Sequence, residues 1–225
     1  MTLEITWLGH SGFILDGGDC RVVVDPFLSS NPTAPMSAAD VRCTHIALTH
    51  GHEDHVGDTI EIAKANAAPV IAAFELTVWV QEQGHELVEP GNPGGQIDLG
   101  CGCSVAFTHA FHSSSYEGRY MGMPCGLILH VGGKTIYHCG DTGLFGDMKL
   151  IGEIYKPDVA IIPIGDRFTM GPTLASRAAD LIGAPVVIPC HYDTWPPIEV
   201  DVSRFAPQSA AVRILEPGVS WKVGP

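Results

Sequence analysis

The chain has 225 residues, with 12 Lys and Arg against 25 Asp and Glu, for a formal charge of −13. That balance repels phosphate backbones and anionic membrane surfaces, which argues against general nucleic-acid or membrane binding. At 45% hydrophobic residues the chain can bury a sizeable core, and its length suits one domain, residues 1–225. No basic segment followed by an apolar one opens the chain, and no apolar run reaches membrane-spanning length. Seven cysteines, an odd number without small-scaffold spacing, fit a reducing cytoplasm. Cys101 and Cys103 are two apart, unlike a zinc-ribbon pair, and read as buried or incidental thiols.

In chain order, short β-type runs cover residues 4–8, 13–15 and 21–24, broken by Gly9-His10-Ser11-Gly12 and by a strong hairpin signal at Asp16-Gly17-Gly18-Asp19. Asp25-Pro26-Phe27 ends the third run, and 29–40 is a Pro-, Ser- and Asn-rich loop. The apolar run Ile46-Ala47-Leu48 leads into a His-rich segment. Asp58-Thr59-Ile60-Glu61 then has capping-box spacing and starts a helix to about residue 65. A strand is expected at 69–72, a helix at 74–83, and strands at 104–108, 126–131, 134–137 and 159–164. The helix at 172–182 has Pro at its first turn and Gly183 beyond its end. A strand at 186–188 follows, with two weak ones near Val212 and Trp221. Strands dominate the first half and strand–helix alternation the second, which gives an α/β fold with mixed sheets. A two-half character is visible, but no repeat is legible in the residues.

The segment His50-Gly51-His52-Glu53-Asp54-His55 carries the chemistry. In extended chain, residues two apart share a side, so His50 and His52 can reach one cation together. Gly51 removes a side chain that would crowd that approach. Asp54 and His55 follow where the chain turns and can face a second cation. Further donors stand at later strand ends: His112 (with His109 as competitor), Asp141 in Gly140-Asp141-Thr142-Gly143, and His191 in Pro189-Cys190-His191-Tyr192. Singly, each suits a loop cap, a turn residue or a satisfied core histidine; together with the first segment they point to a shared site.

These residues resemble the metallo-β-lactamase superfamily, with the HxHxDH signature at His50, His52, Asp54 and His55. More narrowly, the chain is similar to the UPF0173 metal-dependent hydrolases. That likeness rests on Trp7-Leu8-Gly9-His10-Ser11, Asp25-Pro26-Phe27, the THGHEDHVGD segment, His112-Ser113-Ser114 and Gly140-Asp141-Thr142-Gly143-Leu144-Phe145. It continues through Pro163-Ile164-Gly165-Asp166, Phe168-Thr169-Met170-Gly171-Pro172 and Ile188-Pro189-Cys190-His191-Tyr192. Arg167 and Trp195 depart from the pattern, and neither is a ligand position. The resemblance implies an αββα sandwich of two mixed sheets flanked by helices. It also implies His50, His52 and His112 on one metal, Asp54, His55 and His191 on a second, and Asp141 bridging. It selects His112 over His109, and His52, where redox relatives carry Glu, favours hydrolysis.

Imidazole and carboxylate donors without cysteine suit two divalent ions, Zn²⁺ first, with Mn²⁺ or Fe²⁺ as alternatives. Two ions about 3.5–4 Å apart can hold a bridging hydroxide that attacks an ester, lactone, amide or phosphodiester in a small molecule. Asp54 then binds metal and orients the nucleophile, and the resemblance puts His10 beside the site as a substrate-binding or supporting residue. Asp166, Arg167, Tyr116 and Tyr192 are candidates for the pocket wall. His45, His85, His130 and His138 read as structural. A nucleic-acid-processing phosphodiesterase would need a basic exosite or an added domain, and neither is legible. A non-hydrolytic metal or redox protein is the other competing class.

Overall fold

The computed structural model describes residues 2–100 and 102–224. In chain order the first half supplies β1 (Glu4–Trp7), β2 (Phe13–Asp16), β3 (Arg21–Val24), β4 (His45–Ala47), α1 (Glu53–Val56), α2 (Thr59–Asn66), β5 (Val70–Ala73), α3 (Phe74–Glu82) and β6 (Val88–Gly91). The second supplies β7 (Gln96–Gly100), β8 (Cys103–His109), the small ribbon β9 (Ser115–Tyr116) and β10 (Arg119–Tyr120), β11 (Cys125–Val131) and β12 (Lys134–His138). It continues with α4 (Met148–Tyr155), β13 (Val159–Pro163), α5 (Pro172–Ile182), β14 (Val186–Cys190), β15 (Ala211–Val212) and β16 (Ser220–Lys222).

Two seven-stranded sheets result, in the orders β16-β1-β2-β3-β4-β5-β6 and β7-β8-β11-β12-β13-β14-β15. Each has three antiparallel pairings followed by three parallel ones. The two-half character is therefore a repeat of strand pairing, carried by backbone order rather than residue identity. Strand–helix alternation occurs in both halves, not only the second.

Period-two alternation sorts the side chains. Phe13, Leu15, Val22 and Val24 join Val105, Phe107, Leu127 and Leu129 in the core between the sheets, while Ile14, Val23, Ile46 and Val70 pack outward on Ile62, Ala63, Leu76 and Val80. On the far side of the second sheet, Met148 and Ile151 of α4 and Ala175, Ala178, Ala179 and Ile182 of α5 close the sandwich. This is the αββα architecture, with helices on both outer faces.

Some local expectations are corrected. Asp58 does stand before α2, but its carboxylate makes no cap bond. It accepts instead from the Leu28 and Ser29 amides at 2.7 and 2.9 Å and from the Ser29 hydroxyl, tying down the loop after Phe27. The helix α4 and the strands β6 and β7 were not legible. β6 contains Pro90 and pairs only on its β5 side, which an edge strand tolerates. α4 contains Gly152, where a Cβ would lie 2.0 Å from the Ile182 carbonyl oxygen, so the glycine admits close packing on α5. Cys103 is buried, Cys101 lies outside the described residues, and Cys43, Cys125, Cys139 and Cys190 are, with Cys103, free thiols. No helix among the described residues is long and apolar enough to cross a membrane.

Candidate metal centre

Strand ends deliver the site. Beyond β4 the chain stays extended, with the Leu48 amide bonded to the Ile71 carbonyl at 2.9 Å, and carries His50 and His52 to the edge of the sandwich. Gly51 is needed there, but not to open the approach to a cation: a Cβ would lie 2.3 Å from Cβ of Met121. His52 is the N-cap of α1, whose single turn sets Asp54 and His55 side by side. His112 follows β8, Asp141 follows β12 and His191 directly follows β14. His10 lies between β1 and β2 with φ +52°. Its carbonyl accepts from Trp7 Nε1 and from the His191 amide, both at 3.0 Å, which locks the first loop onto the last ligand-bearing strand.

Three overlapping donor groups form, with every chosen atom within 4.8 Å of the others in its group. They are His50, His52 and His112; His50, His55 and Asp141; and His10, Asp54, His55 and His191. Asp141 is central: Oδ2 lies 3.0 Å from His191 Nε2 and 3.5 Å from His112 Nε2, and Oδ1 lies 3.5 Å from His55 Nε2. Asp54 Oδ2 is 3.7 Å from His191 Nε2 and 3.8 Å from His55 Nε2. His109 is not among these donors; it stacks on Phe145 and faces Asp147.

The residues behind the donors fix their tautomers. Asp25, fully buried, accepts from the Thr49 amide (2.8 Å), the Thr49 hydroxyl (2.6 Å) and His55 Nδ1 (2.7 Å). The Thr49 proton is thereby committed, so its oxygen accepts from His50 Nδ1 at 3.0 Å. Burial, reinforced by His55, holds His50 well below the usual imidazole pKa and hence neutral. Its Nε2 then carries a lone pair, which accepts from His52 Nδ1 at 2.9 Å and which is what a metal ligand requires. Neither Asp25 nor Thr49 was singled out from sequence for this role, although Asp25-Pro26-Phe27 belonged to the resembling stretch. The pairing with His55 spans 30 residues and has no local signature.

The charge balance asks for a cation. Burial opposes a charge on His55, yet Asp141, Asp25 and Asp54 prevail and hold it well above the ordinary histidine value. Burial likewise opposes charge on His191, but Asp141 and Asp54 raise it to about 9. Burial alone would raise Asp141 and Asp54; the surrounding histidines pull both well below the usual carboxylate range. Protons on imidazoles thus do the neutralising that a divalent ion would do better. His55 Nε2 and Asp141 Oδ1 are both buried without a hydrogen-bond partner. Orphaned buried donors of this kind are costly unless something coordinates them, so the residue set fits a bound metal.

His10 is fully buried. Burial pushes its pKa down to about 4, although a hydrogen bond with Asp54 works the other way. Ionised Asp54 can only accept, so neutral His10 carries its proton on Nε2 and donates to Asp54 Oδ2 at 2.9 Å. Thr194 then donates to His10 Nδ1 at 2.8 Å.

A cleft of about 600 Å³ opens over the donors, lined also by Phe27, Ser30, Glu53, Ser113, Phe168 and Trp195. The wall expected from sequence is corrected. Tyr192 is buried beneath it, stacked on Trp7. Tyr116 faces a separate small hollow with Glu53 and Glu117. Neither Asp166 nor Arg167 lines the cleft: the Asp166 backbone closes a tight turn with Met170 and Thr169, and Arg167 sits over the Phe168 ring. His45, His85 and His130 hold hydrogen bonds away from the donor groups, whereas buried His138 lies behind them, donating from Nε2 to the Ser11 carbonyl and accepting at Nδ1 from the Gly140 amide.

A family model described as a beta-lactamase superfamily domain matches residues 4–191. A UPF0173 metal-dependent hydrolase of Geobacillus thermodenitrificans is 47% identical over 228 residues, covering 99% of this chain and 97% of that protein. The chain belongs to this family. Another member, from Methanosarcina mazei, is 42% identical, with 97% of each chain covered. The solved structure of Igni18, a metallo hydrolase from the archaeon Ignicoccus hospitalis, superposes with a TM-score of 0.90 at 34% identity, covering 100% of this chain and 99% of that one. As a UPF0173 member the chain is a metal-dependent hydrolase on the metallo-β-lactamase fold.

Proposed function

We propose that this UPF0173 hydrolase is dinuclear and cleaves an ester, lactone, amide or phosphodiester bond in a small molecule. His50, His52 and His112 would hold one ion and Asp54, His55 and His191 the other, with Asp141 available as a further carboxylate donor. The observation that carries this reading is that the seven fall into overlapping donor groups linked through His50 and His55, with His55 Nε2 and Asp141 Oδ1 buried and without a hydrogen bond. Imidazole and carboxylate without thiolate favour Zn²⁺, with Mn²⁺ or Fe²⁺ as substitutes. When bound, the ions supply Lewis-acid polarisation and activate a water as nucleophile near neutral pH.

The protein's own residues supply the rest. His10 donates to Asp54 Oδ2, the oxygen that faces His55 and His191, and so fixes how the carboxylate is turned toward the site, which makes His10 a positioning residue for Asp54. Thr49 and Asp25 hold the Nδ1 protons of His50 and His55, so each ring would turn Nε2 to a bound metal once His55 gives up its second proton. The charge of −13 and the absence of Lys or Arg from the cleft wall favour a small-molecule substrate over nucleic acid. The free thiols suit the cytoplasm. The test is metal content and turnover of His50→Ala and Asp141→Ala: each should lose at least one ion and nearly all activity. Intact metal content and activity in either would refute the scheme.

A further inference from the structure

Beyond the metal donors the cleft wall is built largely from aromatic rings and carries no Lys or Arg. Phe27 is almost fully buried, and its ring meets Trp195 edge-on at 6.2 Å between centroids. Trp195 in turn lies tilted against His10 at 4.8 Å. These two rings are therefore held by the same residue that positions Asp54, and they end beside the donors.

Phe168 completes the wall in a different way. It is 52% exposed. Its turn is rigid: Asp166 has φ +65°, its amide donates to the Met170 carbonyl at 3.0 Å, and its carbonyl accepts from the Thr169 amide at 2.7 Å. Arg167 lies 5.6 Å from the ring centre and supports the ring from its side. An apolar ring presented to solvent by a fixed turn, on the lip of a concave site, has apolar area to bury against a ligand.

The polar part of the wall points the same way. Beyond the metal donors it comprises the hydroxyls of Ser30 and Ser113 and the exposed carboxylate of Glu53. None of the chain's 12 Lys and Arg residues lines the cleft. A carboxylate or phosphate held against this wall would find no Lys or Arg among the lining residues and would face Glu53; Arg167, over the Phe168 ring, stands outside the lining.

We infer that the substrate carries, next to the bond that is cut, an uncharged apolar or aromatic group that lies against Phe27, Phe168 and Trp195, and that extensions bearing a remote anionic group are discriminated against. This rests on the metal-centre reading above and narrows its substrate to neutral-bodied compounds such as aryl or alkyl esters, lactones and amides.

The test uses hydroxamates, which chelate metal without being cleaved, so it does not depend on turnover. Calorimetry on the zinc-loaded full chain would compare acetohydroxamate, benzohydroxamate and 4-carboxybenzohydroxamate. Benzohydroxamate should bind about tenfold tighter than either of the others, an aromatic contact and an unmatched charge each being large enough for that. Phe168→Ala should shrink the first preference, and Glu53→Gln the second, with metal content retained. Equal affinities, or tighter binding of the carboxylated compound, would overturn the inference. If the preferences hold but no aryl ester is hydrolysed, the proposed reaction fails and the cleft assignment stands.

Discussion

Asp25→Asn is the sharpest perturbation of the residues behind the ligands. The native carboxylate accepts three hydrogen bonds, from the Thr49 amide, the Thr49 hydroxyl and His55 Nδ1. The introduced asparagine can keep its oxygen on the Thr49 amide only by turning its NH₂ toward the other two. Thr49 must then accept from that NH₂ and give its proton to His50 Nδ1, and His55 Nδ1 must accept as well. Both imidazoles consequently carry protons on Nε2, the atoms offered to metal. The flipped amide instead sets NH₂ against the Thr49 N–H and strands a buried donor, at about 1–3 kcal/mol. Loss of such outer partners weakens metal by about 10–100-fold, equivalent to about 1.4–2.8 kcal/mol of metal-linked stability. Competitive zinc titration against a chelating dye measures it directly, and the Tm gap between zinc-loaded and metal-free protein should narrow in parallel. Wild-type zinc affinity in Asp25→Asn would refute the tautomer argument.

His10→Ala should retain two metal equivalents but lose roughly 10–100-fold in kcat, as expected when a supporting hydrogen bond is removed; His10→Gln, which keeps an N–H donor, should recover part of it. A purely structural role predicts instead that kcat follows Tm in both variants. Gly165→Ala would set a Cβ 2.1 Å from the His191 carbonyl oxygen; the resulting shift should weaken zinc binding, measured by the same titration, and lower Tm. Metal-free protein should lose stability as pH rises. His191 titrates near 9 when folded, above the ordinary 6.5, because Asp141 and Asp54 overcome the opposing effect of burial. Its contribution is therefore complete below about pH 6.5 and gone above about 9, at most about 3 kcal/mol. Tm against pH should show this decline without zinc, while saturating zinc should abolish it, since metal replaces the protons.

The four signature donors were legible because they sit within six residues on a strand end and one helical turn. His112, Asp141 and His191 were legible as types at strand ends, but the choice of His112 over His109 needed the family likeness. What stayed hidden depends on distance along the chain. His10 meets Thr194 across 184 residues, and Phe27 meets Trp195 where two unrelated loops converge. No period or spacing encodes such contacts. The pairing repeat was invisible for a related reason: hydrogen-bond direction in a sheet leaves little trace in residue identity. It does place Asp25 and Asp141 alike, each just beyond the fourth strand of its sheet, where antiparallel pairing gives way to parallel. One carboxylate orients ligands from behind; the other stands among them.

A two-metal hydrolytic centre makes a stoichiometric demand, which a zinc titration reads directly. Metal-free protein would receive zinc in fractions of an equivalent while hydrolysis of an aryl ester is followed in the same sample. Activity should rise until two equivalents per chain are bound and then level off. Full activity without added metal, or a plateau at one equivalent with no second ion bound, would rule out a two-metal centre.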